Sequence, residues 1–572
     1  MAAFAAVPAG ATRAGVAASA PGIVTFPVPA AASVSSSSSD RQNGIFSVAA
    51  LGNGGVVASG YSDAGWASVR LLANGRLASG LDGACPRAQQ DLSDGQGGVL
   101  MLAPTATDVV LCHLLADGTL DKGFCACTSS PGSVLVTKEL GLAPNPLAIA
   151  PLPSGRILVV GERASDGTVI VARLTQEGLA DPAYGSGGVV AISGPSAQAT
   201  AVSLAAAADG SAFAAIDAKL IHVTAAGALD PAFAGGAPVT LAATPAGLLP
   251  QADRSVLVLD GGAVTDNQLS HRSRVSKYTA TGSLDSSYGA SGSVATPKTY
   301  DTYKSPDFVD NQPSTSSVLL SAPGGGAVVV GIANSAPYTY GAVLERLDGN
   351  GTADPAFGGT RGRVVPLAFG GGDAFWSALA NLNQTGVGAQ GPFAVAMRPG
   401  GSLVIGTDLG LGTGPAEGAM SGDTSLDQWG LAALTAAGTR DAGFGVRSTL
   451  HTQLWIPSQR VARIVGGAGY CSGGAAVTVG NPPYSTDTCI AVRARASAAA
   501  LGNVRIMARG KLIAAGGMGF LRAGVSLIDY VPTTASGLRM LRHGGPLSIT
   551  ATLQARDLAH SDATSRARAT LR

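Results

Sequence analysis

Short apolar runs separated by turn residues recur along most of the chain. Residues 156–190 read "RILVVGERASDGTVIVARLTQEGLADPAYGSGGVV", in which two apolar runs are joined by a Ser-Asp-Gly turn and followed by a turn that contains Gly178. Runs of this length bounded by Gly, Asp and Pro are typical of β-strands joined by tight turns. An earlier segment ending in a turn such as "PLPSG" completes the unit, so each unit predicts about four short strands.

A fixed spacing marks each unit: a reference glycine, an Asp three residues later and an aromatic residue six residues later. The six copies are Gly118, Asp121, Phe124; Gly178, Asp181, Tyr184; Gly227, Asp230, Phe233; Gly282, Asp285, Tyr288; Gly351, Asp354, Phe357; and Gly438, Asp441, Phe444. A degenerate seventh copy starts at Gly75, with Ala78 and Leu81 in the other two places. We expect the glycine to adopt a positive φ, the carboxylate to accept N–H bonds from the following loop, and the aromatic ring to pack between neighbouring sheets.

Radial packing of these units gives each sheet a neighbour on both faces, which one four-stranded sheet lacks. We therefore predict an all-β protein, with a seven-bladed β-propeller of four-stranded blades over residues 43–450. An open stack of sheets is the alternative.

Residues 1–42 form an Ala- and Ser-rich segment that can hold a degenerate export signal and a linker. Within it, Gly22 to Phe26, "GIVTF", resembles the strand that follows each motif and is expected to complete the last blade, unless the segment is a disordered extension.

The repeats resemble the delta-60 repeat of exported bacterial β-propeller proteins, through residues 155–190 and the G-x-x-D-x-x-F/Y-G signature. This resemblance implies a propeller in an extracytoplasmic setting. It implies no reaction, because the family has no general catalytic residues to carry over. Several copies depart from the pattern: the first lacks the Asp and the aromatic residue, and Ala234 stands where another glycine is expected.

After Thr449 the repeat stops, and residues 451–572 predict a second all-β domain, a sandwich of short strands. The final stretch, "GLRMLRHGGPLSITATLQARDLAHSDATSRARATLR", resembles the C-terminal immunoglobulin-like module of exported actinobacterial proteins. Thirty Arg against seven Lys fit the high-GC genome that this resemblance implies. The predicted strands are Ala475–Val479, Ile490–Arg495, Val504–Ala508, Leu547–Ala555 and Arg566–Leu571.

The composition and the distribution of charge indicate which kinds of partner the protein can bind. Hydrophobic residues make up 46% of the chain and the formal net charge is +1, which argues against intrinsic disorder. From Gln459 to Arg572, however, fourteen Lys and Arg stand against four Asp and Glu. We expect this basic domain to contact an anionic cell-envelope polymer. Nucleic acid is not expected, because the body is acidic and the arginines are scattered at strand-like spacing without interleaved aromatic residues.

The six cysteines are compatible with disulfides and therefore with an oxidising compartment. Cys471 and Cys489 lie close together in the last domain and are expected to pair. Cys125 and Cys127 either bond Cys85 and Cys112 or remain free. These four cysteines with His113 also resemble a scattered metal set, but their spacing fits no standard zinc pattern, so no metal and no cofactor are predicted.

The sequence contains no P-loop, no H-E-x-x-H and no G-x-S-x-G elbow. Two pairs of nearby acids, Asp307 with Asp310 and Asp423 with Asp427, can serve a glycosidase or a Ca²⁺ loop, but solvated loop acids are the simpler interpretation. The six histidines are expected to be structural or on the surface. Catalytic residues are therefore not assigned, and a protein without enzymatic activity is expected rather than an enzyme.

Three insertions interrupt the repeat rhythm: Thr296 to Ser316, Phe369 to Pro392 and Thr407 to Trp429. Propellers present blade loops at the ends of their channel, where ligands commonly bind. Exposed aromatic rings beside acids suit a sugar ligand, although these rings can instead pin the loops in place. The candidate ligand-binding residues are Tyr300, Tyr303, Asp307, Phe308, Asp310, Trp376, Asp423, Asp427 and Trp429.

These observations predict an exported, extracellular or envelope-bound, monomeric protein without a membrane span. Its expected function is non-catalytic binding or adhesion, with propeller loops recognising a cell-envelope polysaccharide or another surface protein, and with the basic domain as an envelope anchor. A polysaccharide-active hydrolase or lyase on the same scaffold is one alternative. A structural spacer is the other.

Overall fold

The computed structural model describes residues 19–20, 23–27, 44–62, 65–78, 81, 85, 88, 90–105, 107–125, 131–192, 199, 201–260, 274–295, 318–336, 339–359, 363–364, 385–389, 394–413, 428–445, 451–456, 462–463, 484–497, 500–521, 526–542, 545–557 and 562–571. Almost every element within these ranges is a β-strand, which confirms the all-β prediction. The first two strands are β1 (Ser19–Ala20) and β2 (Ile23–Pro27).

Seven four-stranded antiparallel sheets form the propeller, as predicted. In each of blades one to five, the chain runs from the inner strand to the outer strand. Blade one contains β3 (Gly44–Ala50), β4 (Val56–Ser62), β5 (Gly65–Leu71) and β6 (Leu77–Ala78); blade two contains β7 (Gln90–Ser93), β8 (Val99–Pro104), β9 (Val109–Leu114) and β10 (Ser133–Leu135).

A short helix, α1 (Val136–Leu140), leads into blade three. Blade three contains β11 (Leu142–Pro151), β12 (Ile157–Arg163), β13 (Val169–Leu174) and β14 (Val189–Ala191); blade four contains β15 (Val202–Ala206), β16 (Ala212–Ile216), β17 (Lys219–Val223) and β18 (Val239–Thr240). Blade five contains β19 (Pro245–Pro250), β20 (Val256–Asp260), β21 (Arg274–Tyr278) and β22 (Ser293–Ala295).

Blades six and seven are joined into one larger sheet. Blade six contains β23 (Val318–Ala322), β24 (Gly326–Ala336), β25 (Thr339–Leu347) and β26 (Arg363–Val364). The next strand, β27 (Thr385–Ala389), pairs with both neighbouring blades. Blade seven contains β28 (Ala394–Met397), β29 (Leu403–Thr413), β30 (Gln428–Leu434) and, as its outer strand, β2.

The inner strands form a closed ring. Each inner strand contacts the inner strand of the next blade, and β28 of blade seven contacts β3 of blade one. Because the sheets are covered on both faces, their second strands are buried at successive rather than alternate positions, as in β8, β12, β16 and β20. In β12, for example, Leu158 and Val160 pack in one inter-blade cluster with Tyr184, whereas Ile157 and Val159 pack in the adjacent cluster with Phe124.

The N-terminal strand completes the last blade. β2 pairs antiparallel with β30 over its whole length, and Val24 is buried in the cluster that joins blades seven and one. On the same boundary, the Gly445 N–H donates a 2.8 Å hydrogen bond to the Asn74 carbonyl oxygen. Strands from the two ends of the propeller sequence therefore share one sheet.

The residue after each motif aromatic adopts a positive φ, whether or not it is glycine. Gly185 and Gly289 have φ of 57° and 55°, but Ala234 and Cys125 also lie at 49° and 42°. A side chain in this region costs roughly 1–2 kcal/mol. Ala234 therefore keeps the backbone conformation that glycine adopts at this place in other repeats, and its side chain makes the position strained.

Exchanging glycine and alanine at this position is expected to change stability in opposite directions. Ala234→Gly should raise the free energy of unfolding by about 1 kcal/mol, because it relieves the positive φ. Gly185→Ala should lower it by about 2 kcal/mol or more, because the added Cβ would lie 2.2 Å from the Val189 carbonyl oxygen. Gly187→Ala is the matched control, since its φ is +65° but nothing lies within 4 Å of the added Cβ. Denaturant midpoints measure all three; an equal loss in the two Gly→Ala variants would contradict the steric explanation.

The C-terminal strands form one barrel-like sheet. Its members are β31 (Thr452–Trp455), β32 (Ala462–Arg463), β33 (Tyr484–Ala496), β34 (Ala500–Ala508), β35 (Lys511–Leu521), β36 (Ser526–Thr534), β37 (Leu547–Asp557) and β38 (Asp562–Leu571), with helix α2 (Ala535–Arg542) packed on β35. The strand order is β31-β33-β36-β35-β34-β37-β38, and the two edge strands β31 and β38 contact each other. The all-β prediction for this domain is confirmed, whereas its immunoglobulin-like character stays a prediction.

Cys85 forms a disulfide with Cys112, and both lie in the apolar cluster between blades one and two. The alternative in which these two cysteines bond Cys125 and Cys127 is therefore wrong. Cys125 and Cys489 are also disulfide-bonded, and no described cysteine is free. Cys127 and Cys471 lie outside the described residues. As for membrane insertion, none of the helices in the described part of the chain is long and apolar enough to cross a bilayer.

Candidate functional site

The antiparallel topology gives the propeller two different ends. The turns between first and second strands and between third and fourth strands lie at one end, which also holds the G-x-x-D-x-x-F/Y motifs; we call it the motif face. The connections between second and third strands, and from each blade to the next, lie at the other end, which we call the loop face. Any function of the propeller has to be assigned to one of these two ends.

On the motif face, each motif aspartate caps its own loop, as predicted. One carboxylate oxygen accepts the backbone N–H two residues later, at 2.9 Å from Gly123 to Asp121 and 3.1 Å from Ala183 to Asp181. The same bond is made by Asp230, Asp285, Asp354 and Asp441. The motif aromatic rings are fully buried: Phe124, Tyr184, Phe233, Tyr288, Phe357 and Phe444.

The second oxygen of the aspartate binds a basic side chain that the sequence analysis missed. This residue stands five positions before the reference glycine, and its fixed spacing was a detectable signal. Arg173 Nε donates to Asp181 at 2.8 Å, and His222 Nδ1 lies 2.8 Å from Asp230. The corresponding pairs elsewhere are His113 with Asp121, Lys277 with Asp285 and Arg346 with Asp354.

Two blades lack one member of this pair and replace it. In blade seven Ala433 stands in the basic place, and Arg398 from the first turn of the blade binds Asp441 instead. In blade one Ala78 supplies no carboxylate, and the Arg70 guanidinium donates to the Asp117 carbonyl oxygen of blade two. The arrangement is thus maintained around the ring with different residues.

The motif face also links each blade to the next. Arg173 Nη1 donates to the Ala225 carbonyl oxygen at 2.8 Å, and Arg346 Nη1 donates to that of Ala436 at 2.7 Å. Their guanidinium groups lie over the Tyr184 and Phe357 rings, a cation–π contact. Six backbone N–H groups make parallel links between blades: those of Cys125, Gly185, Ala234, Gly289, Gly358 and Gly445. The polar groups of this face are therefore used in holding the ring together.

Blade four contains a Ser-His-Asp arrangement that resembles a hydrolase triad. Ser211 Oγ lies 3.0 Å from His222 Nε2, and His222 Nδ1 lies 2.8 Å from Asp230. The serine hydroxyl, however, donates its proton to Asp209 at 2.6 Å, and Ser211 is only 4% exposed. An activated serine needs to give that proton to the histidine, so this hydroxyl is held as a structural acceptor.

The same positions in other blades carry residues that cannot act as a triad. In blade two, His113 lies 2.9 Å from both Asp94 and Asp121. Burial disfavours the imidazolium, but the hydrogen bonds to these two carboxylates outweigh it and raise the pKa of His113. In blade five, Lys277 lies between Asp253 and Asp285. A basic side chain between two turns is therefore a recurrent structural device.

A different carboxylate lies between blades one and two. Asp91 on β7 is 4% exposed, and one of its oxygens accepts a 2.9 Å hydrogen bond from Ser59 Oγ. Its backbone N–H donates to Ser47 Oγ at 2.6 Å, and its second carboxylate oxygen has no hydrogen-bond partner among the described residues. Burial raises the pKa of Asp91 to about 7 despite the Ser59 hydrogen bond.

Most of the predicted ligand-binding residues lie outside the described residues: Tyr300, Tyr303, Asp307, Phe308, Asp310, Trp376, Asp423 and Asp427. The described strand ends that flank them share one location. Residues 296–317 connect β22 to β23, residues 365–384 follow β26, and residues 414–427 connect β29 to β30. All these strand ends lie at the loop face of blades five, six and seven. Within the described part of the chain, no group of three or more His, Cys, Asp and Glu could hold a metal ion.

The prediction that Trp429 lies on a loop is wrong. Trp429 belongs to β30, opposite Phe26 of β2 and Asp408 of β29, and it is fully buried in the cluster with Val24 and Phe444. The predicted insertion ends too late in the sequence, because "DQWGLAAL" has polar residues before its apolar run. The strand already begins at Gln428.

Described strands extend beyond the other blades at this part of the loop face. β24 and β29 are each 11 residues long, whereas β16 and β20, their counterparts in blades four and five, have five. The far end of β29 pairs with β27 from Thr385 to Ala389, and Ala389 also pairs with Tyr340 of β25. The loop face of blades six and seven is thus built up by additional β-structure.

No family model and no curated protein matches the chain. Among solved structures, it is similar to a DUF4623 family protein from Bacteroides eggerthii, at 9% identity over 53% of this chain and 68% of that chain, with a TM-score of 0.31. Prolyl oligopeptidase B from Galerina marginata matches at 8% identity over 80% of this chain and 55% of that chain, with a TM-score of 0.35. A gluconolactonase from Xanthomonas campestris matches at 11% identity over 44% of this chain and 95% of that chain, with a TM-score of 0.23.

Proposed function

We propose that the protein is an exported, non-catalytic binding protein of the delta-60 repeat type. Its loop face on blades five to seven recognises an extracellular or cell-envelope ligand, and its basic C-terminal domain contacts the envelope. The observation that carries the proposal is the build-up of β24, β27 and β29 on one face, beside the strand ends from which every predicted ligand-binding segment leaves.

The contacts on the motif face support this assignment, because its polar groups already bind one another or the next blade. Its carboxylates cap loops, its basic residues pair with them, and its arginines bind the next blade. Segments at the opposite end are free of this repeat pattern and differ in length from blade to blade. Loops held by a rigid scaffold are where binding residues concentrate.

Two further observations support export and a non-catalytic role. A buried disulfide between Cys85 and Cys112 suits an oxidising compartment. The one serine-histidine-aspartate arrangement among the described residues is explained by the repeat, and its serine hydroxyl is engaged with Asp209.

Retention of the full chain on immobilised bacterial cell-envelope polysaccharide tests the proposal. We expect Trp376→Ala and the double variant Tyr300→Ala/Tyr303→Ala each to weaken retention about tenfold, because each lost ring contact removes buried apolar area. Leu179→Ala is the matched control: this side chain is 40% exposed on the motif face, so its loss should not change retention.

Three outcomes overturn the proposal. If Leu179→Ala weakens retention as much as the loop-face variants do, binding is not specific to the loop face. If the wild type is not retained at all, the alternative of a structural spacer is favoured. Release of sugar fragments that is abolished by Asp307→Asn or Asp423→Asn makes the protein a polysaccharide-active enzyme.

A further inference from the structure

Among the described strand residues of the C-terminal barrel, the exposed arginines of β33, β34 and β38 lie on the outer side of each strand. In β33, Val492, Ala494 and Ala496 are buried in the barrel core, whereas Arg493 and Arg495 are exposed. Side chains of a strand alternate between its two faces, so the strand-like spacing of the arginines places them together on the outside.

The pairing register brings other exposed groups beside them. In β31, Gln453 lies opposite Arg495 and Trp455 lies opposite Arg493, both on the outer face. Trp455 is 40% exposed, and Leu454 between these two residues is buried. Trp455 and Arg493 are therefore cross-strand neighbours on the outer face of the barrel.

Exposed arginines also lie on the strand that adjoins β31 on its other side. β31 contacts β38, and a hydrogen bond joins Thr452 Oγ1 of β31 to Ser565 Oγ of β38. On β38, Arg566 and Arg568 are exposed and lie opposite Thr552 and Thr550 of β37. Thr552 in turn lies opposite the exposed Arg505 of β34.

We call this surface the arginine stripe: Arg493, Arg495, Trp455, Arg566, Arg568 and Arg505. It crosses five neighbouring strands, in the order β33, β31, β38, β37 and β34, and therefore spans roughly 20 Å. Among the described side chains of these five strands there is no acid.

We propose that the arginine stripe binds a linear anionic polysaccharide. Arginine presents a planar pair of donors that fits a carboxylate or sulfate group, and thirteen of the fourteen basic residues from Gln459 onward are Arg. The Trp455 ring supplies an apolar face for a sugar ring, and Gln453, Thr550 and Thr552 supply hydrogen-bonding groups for its hydroxyls.

Single-stranded nucleic acid fits less well, because its binders use successive aromatic platforms and the stripe has one indole. The expectation that these arginines are scattered is corrected here, since the register gathers them on one face. This inference deepens the envelope-contact part of the proposed function but rests on a different domain from the propeller loops.

Binding of the full chain to immobilised polygalacturonate tests the inference, with neutral dextran, a single-stranded oligonucleotide and phosphatidylglycerol vesicles as comparison probes. We expect binding to polygalacturonate to fall about tenfold or more as salt is raised from roughly 0.05 to 0.3 M. Arg566→Gln/Arg568→Gln and Trp455→Ala should each weaken it about tenfold, and Arg566→Lys/Arg568→Lys should weaken it less, because the charge stays while the paired donors are lost.

The matched control is Arg539→Gln/Arg542→Gln, which removes the same charge from exposed positions of α2. An equal loss in this control, or tighter binding to the oligonucleotide or the vesicles, overturns the inference. Leu179→Ala, at an exposed position on the motif face of the propeller, should leave polygalacturonate binding unchanged; a loss of binding in this variant would also overturn the inference. Circular dichroism checks that each variant is folded.

Discussion

Replacing Asp91 by Asn is expected to remove a fall in stability that the wild type shows between about pH 4 and pH 7. The pKa of Asp91 is raised to about 7 in the folded protein, above its unfolded value. A group of this kind adds stability below its unfolded pKa, and that stability is lost as the pH rises through its folded pKa. A difference of one between the folded and unfolded pKa corresponds to about 1.4 kcal/mol, so the loss approaches about 4 kcal/mol by pH 8.

The physical reason is that a carboxylate has to ionise where only Ser59 compensates for lost water. The asparagine side chain stays neutral at every pH, so the Asp91→Asn variant should gain on the wild type as the pH rises. The measurement is the denaturant midpoint of both proteins from pH 4.5 to 8. The contribution of His113 to the stability of the protein also falls as the pH rises, because the pKa of His113 is raised in the folded state. The Asp91→Asn variant keeps this contribution. Parallel pH profiles for the two proteins would show that Asp91 titrates as a hydrated carboxyl.

Val24→Asp is expected to open the propeller ring. Val24 is 5% exposed and packs in the cluster with Trp429 and Phe444. An unpaired carboxylate there should cost about 3–5 kcal/mol of unfolding free energy. Because β-pairing and this packing hold β2 to blade seven, we expect hydrogen exchange of residues 428–434 to rise strongly.

Val190→Asp is the matched control, since Val190 lies on the outer strand of blade three and is 8% exposed. It should destabilise its own blade without raising hydrogen exchange in β30. If Val24→Asp and Val190→Asp raise exchange in β30 equally, the N-terminal strand has no special role in closure.

The repeat motif allowed the architecture to be predicted because each of its residues has a local structural task. A glycine with positive φ, a loop-capping carboxylate and an inter-blade ring recur at fixed spacing, and the structure places Gly178, Asp181 and Tyr184 in these roles. The partner of the carboxylate was missed because its chemistry varies between His, Lys and Arg, although in five of the six copies it stands at the same position. Arg398 could not have been found by spacing, since it comes from a different turn.

The site was less predictable, for reasons specific to each residue. Trp429 was assigned to a loop because the start of β30 is polar, and burial by β2 is invisible in the local sequence. The pairing of Cys85 with Cys112 depends on how two blades meet rather than on spacing. The arginine stripe was present in the sequence as an alternation, but only the register of β37 with β38 and β34 shows that it is continuous.

The pairing of β2 with β30 has a consequence for biosynthesis. β2 is made before β30, which follows about 400 residues later, and at 5–20 residues per second this is a delay of roughly 20–80 s. During that time blades one to six can form from continuous chain, but the ring has no means of closing. Contacts this distant in sequence also form slowly. A ribosome-bound chain is therefore an open arc, and the last sheet forms only when the two halves of its sequence meet.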